Sequence, residues 1–201
     1  MENKKLEARF VTPIGIARFP WLTQADTRYN ADGVYKVDLV LTEDEATPLI
    51  AKIDALWEDF RKTLTGPKAK KAPLSLGYAE EYDDNDKPTG NYILKVKTNA
   101  MMKRKDGTSE HRRLVFVDSK AKEFTPEPIW GGSKLKLNIT AIPYDAGANL
   151  GISLKLNAVQ VIELVSGGNG GGSFGFGEED GFVNEGSNGF NSVGADEEDD
   201  F

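Results

Sequence analysis

The sequence predicts a mainly β domain at residues 1–165, with one packed α-helix, followed by a flexible acidic tail at residues 166–201. Long segments of alternating apolar and polar residues predict the strands, and one segment with helical spacing predicts the helix. The tail is predicted by its composition, because eleven of the chain's 21 glycines lie between Gly167 and Gly194. Such a segment buries little apolar surface and is typical of a flexible coil.

The two clearest strands are residues 33–41 and 133–142, in which every second residue is apolar. The expected inward residues are Tyr35, Val37, Leu39 and Leu41 in the first and Leu135, Leu137, Ile139 and Ala141 in the second. The expected outward residues of the second strand are Lys134, Lys136, Asn138 and Thr140. Strands are also predicted at 9–19 (with a break near Pro13), 92–102, 112–117 and 150–164, with a hairpin turn at Asp106-Gly107.

One segment between the strands is helical. Thr47 is the expected N-cap and Pro48 the first helical residue, where its missing N–H is tolerated. Gly66-Pro67 is expected to end the helix. The residues at helical spacing are Leu49, Ile50, Ile53, Leu56, Trp57, Phe60 and Leu64.

Five or six strands with one helix predict a small, strongly bent barrel. The oligonucleotide-binding (OB) fold is the leading candidate. An open β-sandwich fits the composition equally well.

The two parts of the chain differ in charge. Residues 166–201 contain nine acids and no Lys or Arg, which leaves 25 basic and 23 acidic side chains in residues 1–165, a net charge of +2. A body of that sign can bind a polyanion, and the acidic tail can compete for the same surface.

Composition excludes several classes of protein. The chain has no Cys and a single His, His111, so disulfide and thiol chemistry and a metal site with several His ligands have no residues to carry them. No apolar run is long enough for a membrane span, and the N-terminus lacks the apolar region of a signal peptide. We expect an intracellular protein with no membrane association, no cofactor or bound metal, and no enzymatic activity.

Cationic side chains share strand faces with aromatic residues nearby, and a groove for single-stranded nucleic acid needs both. Among the aromatics, Trp57, Trp130 and Phe116 are expected in the core, whereas Tyr144 is equally compatible with packing and stacking. The candidate cations are Lys134 and Lys136, Lys95 and Lys97, Lys36, Arg104 and Lys105 at the hairpin tip, and Lys4 and Lys5. The acids at 80–86 are interpreted as a solvated loop, since their spacing does not match the EF-hand pattern of a Ca²⁺-binding loop.

Several segments resemble the single-stranded DNA-binding proteins of T-seven-like phages. They are Gly33-Val-Tyr-Lys-Val-Asp-Leu39, Val117-Asp-Ser-Lys120, Gly131-Gly-Ser-Lys-Leu-Lys136, Pro143-Tyr144, the Lys155-Leu156 strand and the acidic terminus ending in Asp200-Phe201. They occur in the same order over residues 33–165 and at the terminus, so the resemblance is specific although no single segment is.

The resemblance implies an OB-fold protein that coats exposed single strands during phage DNA replication, recombination and repair, in the cytoplasm of the infected bacterium. It also implies a homodimer, strand annealing, and contacts with the phage DNA polymerase and helicase-primase. The family's DNA contacts carry over to Lys134, Lys136 and Tyr144, to Arg104 and Lys105 on the hairpin, and to Lys4 and Lys5. Its partner-binding element carries over to Asp196, Glu197, Glu198, Asp199, Asp200 and Phe201.

The chain also departs from the family pattern. Ala146, Thr98 and Met101 stand where the best-known relative has aromatics, so Trp130 and Trp21 are alternative stacking residues. Other functions stay open on the residues alone: a protein-interaction module with a structural β-domain, an RNA-binding OB protein, or a metal-dependent nuclease using the 80–86 acids.

Overall fold

The computed structural model describes residues 6–104 and 106–165, which form ten strands, one α-helix and one 3-10 helix. The strands are β1 (Ala8–Val11), β2 (Gly15–Asp26), β3 (Val34–Thr42), β4 (Tyr78–Tyr82), β5 (Pro88–Asn99), β6 (Met101–Lys103), β7 (Ser109–His111), β8 (Val115–Val117), β9 (Lys134–Ala146) and β10 (Asn149–Glu163). Helix α1 spans Glu43–Thr63, and the 3-10 helix spans Gly66–Lys70. Within the described ranges, no helix is long and apolar enough to cross a membrane.

Five strands form the body of the domain. Their pairings run β9–β2–β3–β5–β10, and β10 also pairs with β9, so the order returns to its starting strand. All of these pairings are antiparallel except β5 with β10. The predicted mainly β, OB-like fold with one helix is confirmed, and its five central strands match the five to six expected. β1, β4 and β8 add to the margins of this sheet.

The core is formed by the strand faces that the alternation of apolar and polar residues predicted to point inward. Leu135, Leu137, Ile139 and Ala141 of β9 are fully buried, as are Val37, Leu39 and Leu41 of β3. Leu49, Ile53 and Trp57 of α1 pack against the same core. Full burial of a Val, Leu or Ile side chain contributes about 1.5–3 kcal/mol, so these strands fix the backbone from which the outward residues project.

The outer face of β9 differs from the prediction at Thr140. This residue faces outward but is buried, because β1 pairs with β9 and places Arg9 opposite Thr140. The Asn157 amide also donates a 2.8 Å hydrogen bond to the Thr140 hydroxyl. Of the four residues predicted to face outward, Lys134 is exposed, and Lys136 and Asn138 are half-buried.

The predicted start of the helix was wrong. Helix α1 follows β3 directly, with Thr42 rather than Thr47 as N-cap. The Glu45 carboxylate accepts hydrogen bonds from the Thr42 backbone N–H, at 3.1 Å, and from the Thr42 hydroxyl, at 2.9 Å. This capping arrangement and three acids in the first turn stabilise the earlier start, so Pro48 lies inside the helix. The helix ends at Thr63, just before the predicted Gly66-Pro67.

The predicted hairpin is present but forms a separate sheet. Strand β5 ends at Asn99, and the next residue, Ala100, is buried. The Ala100 N–H donates to the Gly33 carbonyl at 2.9 Å, and the Ala100 carbonyl accepts from the Arg112 N–H at 2.6 Å. β6 and β7 pair in a two-stranded sheet around the turn at Asp106-Gly107. The turn was therefore predicted correctly, whereas the continuous strands 92–102 and 112–117 are interrupted on both sides of it.

Candidate nucleic-acid interface

A row of lysines crosses the outer face of three neighbouring strands. Lys36 of β3 lies directly opposite Lys97 of β5, and Lys155 of β10 lies opposite Lys97 on its other side. Like charges in such positions destabilise a sheet. Within the described residues the Lys97 ammonium makes no hydrogen bond or ion pair. Among these residues, the repulsion in this row is relieved only at Lys36, which pairs with Asp26. A bound polyanion would relieve it throughout.

The neighbouring row combines both signs of charge. Arg18 of β2, Asp38 of β3 and Lys95 of β5 face one another in register. The Arg18 guanidinium binds the carboxylate of Glu81, which is buried on β4. Lys95 is exposed, and its ammonium has no hydrogen-bond or ion-pair partner in the part of the chain that the structure describes.

Glu81 is the exception to the predicted solvated acidic segment at 80–86, because it is buried whereas the other acids of this segment are exposed. Hydrogen bonds from Asn91, Thr89 and Arg18 hold the pKa of the Glu81 carboxyl below its usual value, although burial acts in the opposite direction. Glu81 therefore anchors Arg18 at the outer face. Within residues 6–104 and 106–165, no group of three or more His, Cys, Asp or Glu could hold a metal ion.

A buried acid holds a further arginine over a tryptophan. Two Arg28 side-chain nitrogens each lie 3.0 Å from an Asp26 oxygen, and Lys36 Nζ lies 2.5 Å from Asp26 Oδ2. The Arg28 and Lys36 hydrogen bonds keep the pKa of Asp26 well below its usual range. The Arg28 guanidinium carbon lies 5.0 Å from the centre of the Trp21 ring, so Asp26 holds a cation near an aromatic ring.

Two large aromatic side chains project from the surface beside Trp21. Phe19 is 71% exposed and has a φ of 49°, at a point where the register between β2 and β3 shifts between Arg18 and Trp21. Trp130 is 51% exposed. Its predicted core position was therefore wrong, whereas Trp57 and Phe116 are buried as predicted. Bulges and positive φ values in non-glycine residues concentrate at functional sites.

The Trp130 side chain is held at the surface by a short segment beside β2. The backbone N–H of Trp130 donates to the carbonyl oxygen of Val165. The N–H of Gly132 donates to the carbonyl of Ala17, and the N–H of Ala17 donates to the carbonyl of Ser133. Gly132 has a φ of 90°, which an L-residue with a side chain rarely adopts. This turn directs the chain along β2 while the Trp130 side chain stays outside the core.

These residues line two adjoining cavities of about 950 and 590 Å³. Phe19, Trp21 and Trp130 line the larger one, and Tyr144, Lys95 and Lys97 the smaller one. Lys36 and Asp38 line both. The two cavities together are called the groove below. It offers cations along its floor and aromatic rings at both ends.

The structure brings together four of the predicted site residues: Lys36, Lys95, Lys97 and Tyr144. Lys134 lies beyond the groove, beside Ile16, and its ammonium is 2.6 Å from Glu163. The remaining described candidates are placed outside the groove. Lys136 of β9 lies opposite Gln160 of β10. Arg104 lies beside the β6–β7 turn, and its guanidinium binds the Glu110 carboxylate. The predicted contacts Lys4, Lys5 and Lys105 and the partner-binding residues 196–201 lie outside the described residues.

Sequence reasoning missed Arg18, Phe19 and Arg28. The available signal was Phe19-Pro20, because a proline inside a strand indicates an edge or a bulge. Arg28 carried no signal, since its placement over Trp21 depends on the buried Asp26.

Comparison with known proteins gives a consistent family. A family model described as "Single-stranded DNA-binding protein, Bacteriophage T7" matches residues 14–164. The single-stranded DNA-binding protein of Enterobacteria phage T3 is 33% identical over 157 residues, covering 71% of this chain and 67% of the relative. That of Escherichia phage T7 is 31% identical over 165 residues, covering 75% and 68%.

Solved structures that match this chain are also described as single-stranded DNA-binding proteins of phages. The crystal structure of gp2.5, a single-stranded DNA-binding protein encoded by bacteriophage T7, matches with a TM-score of 0.65 and 25% identity, over 83% of this chain and 95% of that one. The single-stranded DNA-binding protein from bacteriophage Enc34 in complex with single-stranded DNA has a TM-score of 0.58 and 17% identity, over 79% and 88%. This second likeness concerns the fold alone. The chain therefore belongs to the family of the single-stranded DNA-binding protein of bacteriophage T7.

Proposed function

We propose that this chain binds single-stranded DNA in the groove and coats and protects exposed strands during phage DNA replication and recombination. It does so without enzymatic activity, in the cytoplasm of the infected bacterium. The observation that carries the proposal is a pair of lysines, Lys95 and Lys97, that have no ionic partners among the described residues. They lie in a groove that has exposed aromatic rings at one end and Tyr144 at the other.

Each component of the groove has a separate task. The lysine ammonium groups neutralise phosphates and release condensed counterions, which makes binding depend on salt but not on sequence. The rings of Phe19, Trp130 and Tyr144 stack on bases, and stacking contributes about 1–3 kcal/mol per base. Stacking of this kind requires bases that are not paired with a second strand, so the proposal specifies single strands.

The acidic tail is proposed to compete with DNA and to recruit replication proteins. Residues 166–201 carry nine acids and no basic residue, against a net charge of +2 in the rest of the chain. An anionic tail of that charge can occupy a cationic groove until DNA displaces it. The acids of 196–200 and Phe201 then become available to the phage DNA polymerase and helicase-primase. The working form is a homodimer.

Titration of the protein with a fluorescent single-stranded oligonucleotide, with and without residues 178–201, tests the groove and the tail together. We expect the shortened chain to bind more tightly at low salt and to lose capture of the polymerase and helicase-primase. A full-length variant with the five acids of 196–200 changed to their amides separates charge from length. Equal DNA affinity of all three proteins at low salt would contradict competition by the tail.

The same titration distinguishes the other candidate functions. If the domain is only structural and the tail is the working part, no oligonucleotide binds at any salt concentration. Binding of an RNA oligonucleotide in preference to DNA would indicate an RNA-directed protein. Loss of full-length DNA on incubation with Mg²⁺ would indicate a nuclease.

A further inference from the structure

Asp38 lies at the centre of the groove, where the two cavities meet. Its side chain lines both of them and is half-buried on the outer face of β3. In register it lies between Arg18 of β2 and Lys95 of β5. A carboxylate is unexpected at the centre of a surface that binds a polyanion, because it repels phosphates.

The Asp38 carboxylate has no hydrogen bond or ion pair within residues 6–104 and 106–165. Two of the three cations around it are bound to other acids: Arg18 to Glu81 and Lys36 to Asp26. Burial raises the pKa of the Asp38 carboxyl, and the charges of Lys95, Arg18 and Lys36 only partly oppose this. Partial burial of a carboxylate carries a desolvation cost, and a ligand that supplies a hydrogen-bond donor would offset it.

The edge of a DNA base can supply that donor, whereas phosphate cannot. Cytosine, adenine and guanine each carry an exocyclic amino group, and acidic side chains accept hydrogen bonds from such groups. Thymine and uracil have two carbonyl oxygens instead, flanking a single N–H. In single strands these edges are free for recognition.

We propose that Asp38 determines base preference by accepting a hydrogen bond from an exocyclic amino group, so that the centre of the groove favours cytosine, adenine or guanine over thymine or uracil. The proposal rests on the proposed function. The aromatic residues at the two ends of the groove hold neighbouring bases by their faces, and Asp38 contacts the edge of the base between them.

Cytosine and uracil provide the sharpest comparison, because they differ only at C4 and in the proton at N3. We would measure the affinities of oligo-dC and oligo-dU of equal length, about 12 nucleotides, at slightly alkaline pH, where cytosine stays unprotonated. The full-length protein is expected to prefer oligo-dC by about five- to a hundredfold, the discrimination given by one good base-edge contact.

The variant Asp38→Asn is expected to lose this preference, because an amide offers uracil a donor as readily as it offers cytosine an acceptor. The ratio of the two affinities is the readout, since removal of a negative charge strengthens binding to both oligomers alike. Asp84→Asn is the matched control: it makes the same charge change on an exposed residue between β4 and β5, and it is expected to keep the preference.

Equal affinities of the unaltered protein for the two oligomers, or a preference that persists in Asp38→Asn, would overturn the assignment of Asp38. Neither result would affect the proposed function, because both oligomers still bind. If neither oligomer binds at low salt, the proposed function itself fails.

Discussion

Tyr144 of β9 lies directly opposite Gly151 of β10, and its ring covers the glycine. A Cβ atom at position 151 would lie 2.7 Å from the Tyr144 hydroxyl oxygen and 2.9 Å from Cζ. Both distances are shorter than real contacts of a Cβ. Gly151 therefore leaves room for the Tyr144 ring, which is half-buried and lines the smaller cavity of the groove.

Tyr144→Ala is expected to weaken binding of single-stranded DNA by about 1–3 kcal/mol, the contribution of one stacked base. Tyr144→Phe should retain most of the affinity, because the ring and not the hydroxyl makes the contact. Oligonucleotide titration measures both. Tyr82→Ala, which removes a tyrosine that is 55% exposed on β4 and lies outside the groove, is the control. An unchanged affinity of Tyr144→Ala would show that this residue does not stack.

Gly151→Ala is expected to weaken DNA binding in the same direction, because the new methyl group displaces the Tyr144 ring. It should also lower the free energy of unfolding, since the methyl group would lie 2.2 Å from the Ser75 carbonyl oxygen. The double variant, Gly151→Ala with Tyr144→Ala, shows whether the loss of DNA binding arises from displacement of the Tyr144 ring. If Gly151 acts through Tyr144, the double variant binds DNA no more weakly than Tyr144→Ala alone.

Lys95→Ala and Lys97→Ala are each expected to weaken binding to all sequences alike. Each should also reduce the log–log dependence of affinity on salt concentration by about 0.7, the value for one phosphate contact with a single strand. Lys52→Ala, on the exposed side of α1, removes the same charge away from the groove and should leave this dependence unchanged. A loss confined to one base composition would indicate contact with bases instead.

Lys134→Ala is expected to weaken DNA binding less than Lys97→Ala does, and to weaken it equally for all sequences. The Lys134 ammonium already has an acidic partner, Glu163, at 2.6 Å, so a phosphate has to compete for it. Glu163→Gln should then strengthen DNA binding in the presence of Lys134 and have little effect in Lys134→Ala. Titration of the two single variants and the double variant measures this coupling. No coupling between the two positions would exclude Lys134 from the DNA path.

The faces of the strands could be predicted from sequence, but the site could not be assembled from them. Alternation identified the inner residues of β3 and β9 because one face of each strand is buried. The same pattern shows that Lys36 and Lys97 face outward, yet their cross-strand pairing depends on a register set by the whole sheet. Lys134 and Lys136 share the outward pattern and lie elsewhere.

Local departures from regular structure account for the other failures. The exposed Phe19 depends on a shift in register within β2, and Arg28 depends on the buried Asp26. Trp130 was expected in the core because large aromatics usually lie there, but a glycine-containing turn keeps it outside. The helix starts early because the Thr42–Glu45 pair caps it before its apolar spacing begins.

Stability is expected to fall in acid through Asp26. Hydrogen bonds from Arg28 and Lys36 lower the pKa of Asp26 in the folded protein, while in the unfolded chain it is about 3.9. A lowered folded-state pKa gives stability that is present above the unfolded pKa and is lost as the pH falls towards the folded one. Asp26→Asn should therefore lower the free energy of unfolding at neutral pH, and the difference from the unaltered protein should shrink below about pH 4.

Denaturant unfolding of both proteins at neutral and acidic pH measures this difference. Asp84→Asn, which changes an exposed acid without hydrogen bonds among the described residues, is expected to show none. A difference for Asp26→Asn that is the same in neutral and acidic buffer would contradict ionic stabilisation by Arg28 and Lys36.

Tryptophan fluorescence tests most directly whether unpaired bases enter the groove. Trp21 and Trp130 line it, whereas Trp57 is 5% exposed in the core. Single-stranded oligonucleotides should quench the fluorescence strongly and duplexes of equal length much less. Replacement of Trp21 and Trp130 by Phe should abolish the quenching, while anisotropy of a labelled oligonucleotide still reports binding. Quenching that persists undiminished in this double variant, or no response of the unaltered protein to single strands at low salt, would contradict the assignment of the groove.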